Sequence, residues 1–308
     1  MFCEVQRNET FNTWLPMNNK TKMKNLMKKT ILILLSTLTL NAQERIIALS
    51  PSINEIIFAL GAGDKIVANT QYSLYPKASI KIPKVGGYFS PSLEKIVALK
   101  PSLVIMQQNN YKLSLKLERL GIKSKIVKID KLQNIKDSIS EIGDILNKKE
   151  EAKKIVNEID KNLKNLKNII SNKKILIVFG RNSSLEKNIF VAGQNLYFDE
   201  IINESNNTNA LQSNRKGQPI LNMENIIACN PDIVLLLARC QADGINNEAL
   251  IKPWLELPIS AAKTKAIYIN PNIYAGLPSD RLALFLEDFR QMLENYKTST
   301  QENNATNK

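Results

Sequence analysis

Two fourteen-residue stretches of the chain, 93–106 (LEKIVALKPSLVIM) and 223–236 (MENIIACNPDIVLL), align without gaps at an offset of 130 residues. Five positions are identical: Glu94 with Glu224, Ile96 with Ile226, Ala98 with Ala228, Pro101 with Pro231 and Val104 with Val234. Each copy reads as a short helix with a glutamate in its first turn, halted near a proline and followed by a buried strand. A unit repeated at this distance predicts two lobes of similar build. Two such lobes facing each other leave a cleft, where small-molecule sites are commonly found.

The surrounding segments read as parallel α/β units. Residues 45–49 form a short apolar strand, and Ser50-Pro51 supplies an N-cap with proline at the first helical position. Ile53, Ile56, Ile57 and Leu60 then keep helical spacing up to Gly61, and residues 65–68 make the next strand. The alternation continues through a strand at 126–129 and a helix at 135–146. Between 149 and 171 a stripe of Ala152, Ile155, Val156, Ile159, Leu163, Leu166 and Ile170 runs without Gly or Pro. It predicts one helix of about 34 Å, a rigid connector, ahead of a strand at 174–179. The expected organisation is an N-terminal α/β lobe at 43–148, the backbone helix at 149–171, a C-terminal α/β lobe at 172–296 and a disordered tail at 297–308.

Ahead of the first lobe, Lys24, Lys28 and Lys29 precede an apolar run from Ile31 to Leu40 and then Asn41-Ala42. This is the layout of a secretory signal, its apolar run far short of the ~20 residues a membrane-spanning helix needs, so cleavage after Ala42 is expected. Residues 1–22 lie upstream of that signal, and Met23 or Met27 would each serve as a start. No Cys follows the apolar run, so a soluble protein exported to a Gram-negative periplasm is expected rather than a lipid-anchored one. Beyond the leader, Cys229 and Cys240 flank a predicted strand at 233–238 that spans about 20 Å. Bridged Cα atoms lie within about 7 Å, so the pair should stay reduced.

Composition narrows the chemistry. The 308 residues fill about two domains, and 44% hydrophobic content supplies their cores. The chain has no histidine, which removes the commonest general base, every Ser-His or Cys-His nucleophile pair and the usual protein ligand for zinc. Free metal ions are disfavoured as ligands for the same reason. The formal charge is +13, and removal of residues 1–42 leaves 36 Lys and Arg against 27 Asp and Glu, or +9. Much of that excess lies in 148–174, where nine Lys meet Glu150, Glu151, Glu158 and Asp160 on the solvent face of the predicted long helix. No stacking-aromatic cluster accompanies it, so no nucleic-acid partner is expected. A nucleic-acid-binding protein would instead show steeply salt-dependent retention on heparin.

Four stretches, LSPSINEIIFALG (49–61), YSLYP (72–76), VGGYFSPSLEKIVALKPSLVI (85–105) and MENIIACNPDIVLLL (223–237), carry a family resemblance in their order and spacing. The chain resembles the periplasmic cobalamin and ferric-siderophore binding proteins of ABC importers, nearest to the cobalamin branch. The resemblance implies two α/β lobes on one long backbone helix. It also implies docking of Glu94 and Glu224 onto arginines of an inner-membrane permease with its ATPase. On spacing alone, those glutamates read first as first-turn carboxylates stabilised by the helix dipole by ~0.3–1 kcal/mol, and it is the resemblance that turns the reading to docking.

In the cobalamin branch two aromatic residues sixteen apart line the pocket, and Tyr72 and Tyr88 stand at those positions. Gly86-Gly87 ahead of Tyr88 would let the backbone bend there. Two further aromatic positions of that branch hold Gln107 and Gln218 here, a departure that opens the pocket to an anionic ferric chelate. Amide- and arginine-rich loop ends, residues 107–110, Arg181-Asn182-Ser183 and Arg215, suit such a ligand. Arg181, Arg239 and Arg281 each fall near a predicted strand end or helix start, where cleft residues collect. The candidate ligand-binding set is Tyr72, Tyr88, Gln107, Arg181, Gln218 and Tyr274. The implied protein is a monomeric carrier without a cofactor of its own, its guest a corrinoid or a ferric siderophore. A haem receptor of the same fold and an enzyme on a two-lobe scaffold are the alternatives.

Overall fold

The computed structural model describes residues 44–180, 184–186, 188–213, 218–238 and 246–306. The expected leader and its expected cleavage site, with Arg181, Arg215, Arg239 and Cys240, lie outside them. Strands β1 (Ile46–Ala48), β2 (Ile66–Asn69), β3 (Leu103–Gln107) and β4 (Ser124–Val127) make a fully parallel sheet in the order β2-β1-β3-β4. Helices α1 (Pro51–Ala59), α2 (Lys77–Ile80), α3 (Leu93–Ala98), α4 (Tyr111–Arg119) and α5 (Leu132–Ile145) connect and cover it. Ser50 caps α1 by accepting from the Ile53 amide, with Pro51 in the first turn as its sequence demands.

The chain then passes through α6 (Lys149–Lys164) into β5 (Lys174–Phe179), and the backbone helix is shorter than the apolar stripe implies. Asn165 caps it, and Asn168 at φ 64° turns the chain in the left-handed region that asparagine tolerates. Leu166 still reaches the core from that turn, which is why the stripe continues past the helix end. The second sheet contains β5, β6 (Ile189–Val191), β7 (Thr208–Asn209), β8 (Ile220–Leu221), β9 (Ile233–Leu237) and β10 (Ile267–Asn270), in the order β10-β9-β5-β6-β8 with β7 also on β5. It is mixed rather than purely parallel, because β6 runs antiparallel to both β5 and β8. Helices α7 (Tyr197–Glu204), α8 (Met223–Cys229), α9 (Asn247–Leu255), α10 (Ser260–Lys263) and α11 (Leu282–Thr306) complete the lobe.

Residues 297–306 of the expected disordered tail are instead the end of α11. No Gly or Pro interrupts it, and the Thr298, Ser299 and Thr300 hydroxyls donate back to carbonyls of the preceding turn. Cys229 is a free, half-buried thiol. Trp254 on α9 is 1% exposed beneath the outer face of the second sheet. Among the described residues no helix is long and apolar enough to cross a membrane.

The repeat seen in the sequence is a repeat of geometry. Ser92 and Asn222 cap α3 and α8 by accepting from the amides of Lys95 and Asn225. Both helices end at a left-handed residue one place before the shared proline, Lys100 at φ 45° and Asn230 at φ 41°. Ile46 pairs with Leu103 as Ile175 pairs with Ile233, so the two central strand pairs share one register. Even the strand entry is matched: Ser102 accepts from the Arg45 amide at 2.8 Å and Asp232 from the Lys174 amide at 2.9 Å.

Strand alternation distributes side chains to three layers. Ile47, Val104 and Met106 pack outward under the α3 side of the first sheet. Leu176, Val178, Val234 and Leu236 do the same in the second. Ile46, Ala48, Ile105, Ile175, Ile177, Ile233 and Leu235 point the other way, into one continuous core with α1, α5, α6, α7 and α11. The lobes therefore share their central apolar layer.

Polar contacts tie the same junction. Arg281, at the start of α11, donates from Nε and Nη2 to the two Glu55 oxygens of α1 at 3.0 and 2.5 Å, and Ser279 Oγ donates to Glu55 at 2.8 Å. The Arg281 and Glu55 side chains are 10% and 2% exposed. Arg281 is thus a buried strut between lobes, not the cleft residue its place before a helix implies. On the other flank Glu200 of α7 accepts from the Leu132 amide at 2.6 Å, and Lys131 Nζ donates to the Gln194 carbonyl at 2.8 Å.

Asp280 sits beside the strut with a buried, unpartnered Oδ1. Burial, then the nearby Glu55 carboxylate, push its pKa up to about 6, against the partial offset of Arg281. The folded state therefore holds this proton more tightly than the unfolded chain, and stability should fall as pH rises from about 4 to 6. Asp280→Asn should remove that decline and stabilise the protein at pH 7 by on the order of 2 kcal/mol. Urea denaturation at pH 4.5 and pH 7 checks it: a variant with the parent's pH dependence refutes the assignment.

Candidate ligand-binding cleft

At the carboxyl ends of both sheets a cavity of about 1060 Å³ opens between the lobes. Parallel strands place their following loops on one edge, so this is where a two-lobe α/β chain collects a site. From the first lobe come Pro51 and Ser52 after β1, Gln71 and Tyr72 after β2, Gln107 to Asn109 after β3 and Lys128 to Asp130 after β4. From the second come Phe179 at the end of β5, Leu196, Tyr197 and Phe198 at α7, Gln218 before β8, and Gly276 to Pro278. The floor is the top of the shared core, where Phe198 stacks on Tyr197 at 4.1 Å and meets Phe285 edge-to-face at 5.3 Å. Tyr197 is buried with its hydroxyl unpartnered, and burial pushes its phenol up.

Four expected residues, Tyr72, Tyr88, Gln107 and Gln218, are brought together on this lining. Tyr88 Oη donates to Gln107 Oε1 at 2.6 Å, and its partial burial pushes the phenol up. Gln107 therefore orients the ring beside it. Asn109 and Asn110 donate to the Tyr88 carbonyl at 3.3 and 3.2 Å, so the turn after β3 holds both ends of the tyrosine. Tyr72 rides on a loop pinned from below. Lys84 Nζ donates to Asn69 Oδ1, the Ser79 carbonyl and the Ser73 carbonyl at 2.6, 2.8 and 3.3 Å, and desolvation lowers its pKa. Tyr274 does not line the cavity; its hydroxyl donates to Asp288 at 2.9 Å on α11. Arg181 lies outside the described residues.

Several lining residues escaped the sequence reading. Phe89 is 84% exposed and meets Tyr88 edge-to-face at 4.6 Å. Phe179 stands at a strand's carboxyl end, and that position was signal enough to find it. The described lining carries two charged side chains, Lys128 and Asp130, and Asp130 accepts from Asn134 at 2.7 Å. The rest is aromatic, aliphatic, small or amide. Among the described residues no group of three or more His, Cys, Asp or Glu could hold a metal ion.

Glu94 and Glu224 occupy the first turns of α3 and α8, both exposed and without an ion pair to any described residue. Among the described residues Glu224 accepts from its own cap, Asn222, at 3.0 Å. Each helix runs back along its sheet, so its N-terminus lies at the carboxyl edge of the strands, beside the cleft. Two hydrogen bonds confirm the proximity for α3: Ser92 N donates to the Val85 carbonyl at 2.7 Å, and Gln71 N to the Gly86 carbonyl at 3.0 Å.

A family model described as "Periplasmic binding protein" matches residues 46–274. The chain belongs to the periplasmic binding protein family. Membership makes it a substrate-binding transport protein and not an enzyme, which disposes of the two-lobe-enzyme reading. Among curated relatives, a vitamin B12-binding protein of Vibrio vulnificus is 28% identical over 279 residues, covering 85% of this chain and 95% of the relative. An uncharacterized ABC transporter substrate-binding lipoprotein of Bacillus subtilis is 28% identical over 243 residues, covering 75% and 74%. The crystal structure of a periplasmic vitamin B12 binding protein of Vibrio cholerae superposes with TM-score 0.68 at 23% identity, covering 82% of this binding protein and 98% of that chain. A periplasmic heme binding protein of the same organism superposes equally well, TM-score 0.68 at 22% identity over 82% and 99%. Both likenesses establish the two-lobe fold and leave the guest to be read from the cleft.

The Tyr88 loop depends on one backbone position. Gly86 has φ +121°, and a Cβ there would lie 2.7 Å from the Ser90 carbonyl oxygen. Gly86→Ala should therefore cost ~1–3 kcal/mol of stability and displace Tyr88 from Gln107. Urea denaturation with near-ultraviolet circular dichroism of the tyrosines measures both, and unchanged values on both would show that the loop does not need glycine.

Proposed function

We propose that this protein is the soluble periplasmic receptor of an ABC importer for a metal chelate, and that the chelate is a corrinoid. The observation that carries the choice is the lining of the cleft. Among the described residues its polar side chains are mainly amides and hydroxyls, Gln71, Gln107, Gln108, Asn109, Asn134 and Gln218 among them, set beside the rings of Tyr72, Tyr88 and Phe89. A corrinoid presents a broad ring edged by neutral carboxamides, which amide side chains match as donors and acceptors at once. Haem carries two carboxylates and a ferric catecholate is anionic, so each calls for cations, and Lys128 is the one described cation on the lining. The volume, at the upper end for small-molecule sites, suits a macrocycle.

In this reading the receptor is exported by cleavage after Ala42 and works as a monomer. It delivers its guest by setting Glu94 and Glu224 against arginines of an inner-membrane permease with its ATPase. The two carboxylates stand on equivalent turns of repeated units, exposed on an otherwise basic protein, which supports a docking role.

Calorimetric titration of the purified protein with cyanocobalamin, haem and a ferric catecholate siderophore tests the guest. Cyanocobalamin should bind at least about tenfold more tightly than either rival; a tighter haem or siderophore overturns the corrinoid assignment. Docking is tested separately. Charge reversal at both Glu94 and Glu224 should abolish uptake of labelled cyanocobalamin by cells while leaving its dissociation constant unchanged. Lost affinity would place those carboxylates in the pocket instead.

A further inference from the structure

Three separate segments of the cleft wall converge on the Glu55–Arg281 pair. Pro51 and Ser52, which line the cavity, open the helix that presents Glu55 one turn later. Gly276, Leu277 and Pro278 line it from the other lobe and lead directly into Ser279 and Arg281. Tyr72 lines it from the loop that ends at Tyr75, whose ring lies over the Arg281 guanidinium at 3.8 Å. The Tyr75 carbonyl is held in turn by Asn54 Nδ2 at 2.9 Å and Ser79 Oγ at 3.0 Å, so neighbouring residues of α1 grip both partners of the stack. Nothing else among the described contacts joins all three segments.

We propose that Glu55 and Arg281 are the positioning pair of the ligand cleft, holding the walls of the two lobes at the separation and register the guest requires. A two-point guanidinium–carboxylate fork fixes angle as well as distance, and the stacked ring removes the remaining rotation. The walls then do not have to be ordered when the ligand arrives, which is where preorganisation gains affinity. Neither residue touches the cavity; both act through the segments that do.

The proposal rests on the cleft being the ligand site, and the test keeps the two apart. Removing one partner strands a buried charge and risks the fold, so the informative protein is the double variant Glu55→Gln with Arg281→Met, which removes both charges. Spin labels at Glu118→Cys and Lys263→Cys, exposed positions on α4 and α10, report the inter-lobe distance in a Cys229→Ser, Cys240→Ser background. The expected result is a cooperative melt, a broadened inter-lobe distance distribution and a cyanocobalamin dissociation constant raised about tenfold or more. A conservative Arg281→Lys variant, which keeps the charge but loses the fork, should fall between parent and double variant in both readouts. A distance distribution like the parent's overturns the proposal whatever the affinity, and a broadened one with unchanged affinity does so too. If the parent itself fails to bind cyanocobalamin, the corrinoid reading has failed and the distance distribution alone decides the pair.

Discussion

Everything in the molecule is arranged around an apolar layer that the two sheets hold in common. A pair of independent lobes would each close its own core and meet through a polar surface, leaving relative motion as the default. Here the inward faces of β1, β3, β5 and β9 send alternate residues into one cluster with α1, α5, α6, α7 and α11. The burial that stabilises either lobe is thus the burial that joins them. The cleft can exist only where this layer ends, at the carboxyl edge of the strands, and its floor of Phe179, Tyr197 and Phe198 is the upper boundary of that layer.

The buried polar groups follow from the same geometry. Glu55 is withdrawn from water by the junction and would cost several kcal/mol unpaired, so the fold brings it a bidentate partner and a serine hydroxyl. Asp280, next to Arg281 in the chain, is left with an unpartnered Oδ1. Such a pair adds little net stability over apolar substitutes, so what it contributes is geometry: one angle and one distance at the place where the cleft walls meet.

Much of this architecture was legible in the sequence, and the reason is local. The repeat reads because a capped helix, a left-handed stop, a proline and a buried strand are each specified by nearby residues. Residues 174–179 form a strand with the bounds the pattern implies. What did not read depends on context. Asn165 and Asn168 end α6 by adopting conformations that composition does not dictate, and the Ser- and Thr-rich end of α11 looks like a tail until its hydroxyls are seen bonding backward. The second sheet's antiparallel β6 and β8 are two or three residues long and leave almost no periodic signal. In the cleft, Tyr72, Tyr88, Gln107 and Gln218 were reachable through a family resemblance, whereas Tyr274 turns to Asp288 instead. The Arg281–Glu55 pairing spans 226 residues, and neither residue's neighbourhood in the chain announces it.

The placement of Trp254 has a spectroscopic corollary. It is the one tryptophan beyond residue 42, sealed under the outer face of the second sheet and absent from the cleft lining. Its emission is a private gauge of how intact that outer layer is, and it cannot sense a guest by touch. Dimming on addition of a coloured ligand would have to travel through space as energy transfer, so the loss of light would measure a separation across the lobe rather than a contact.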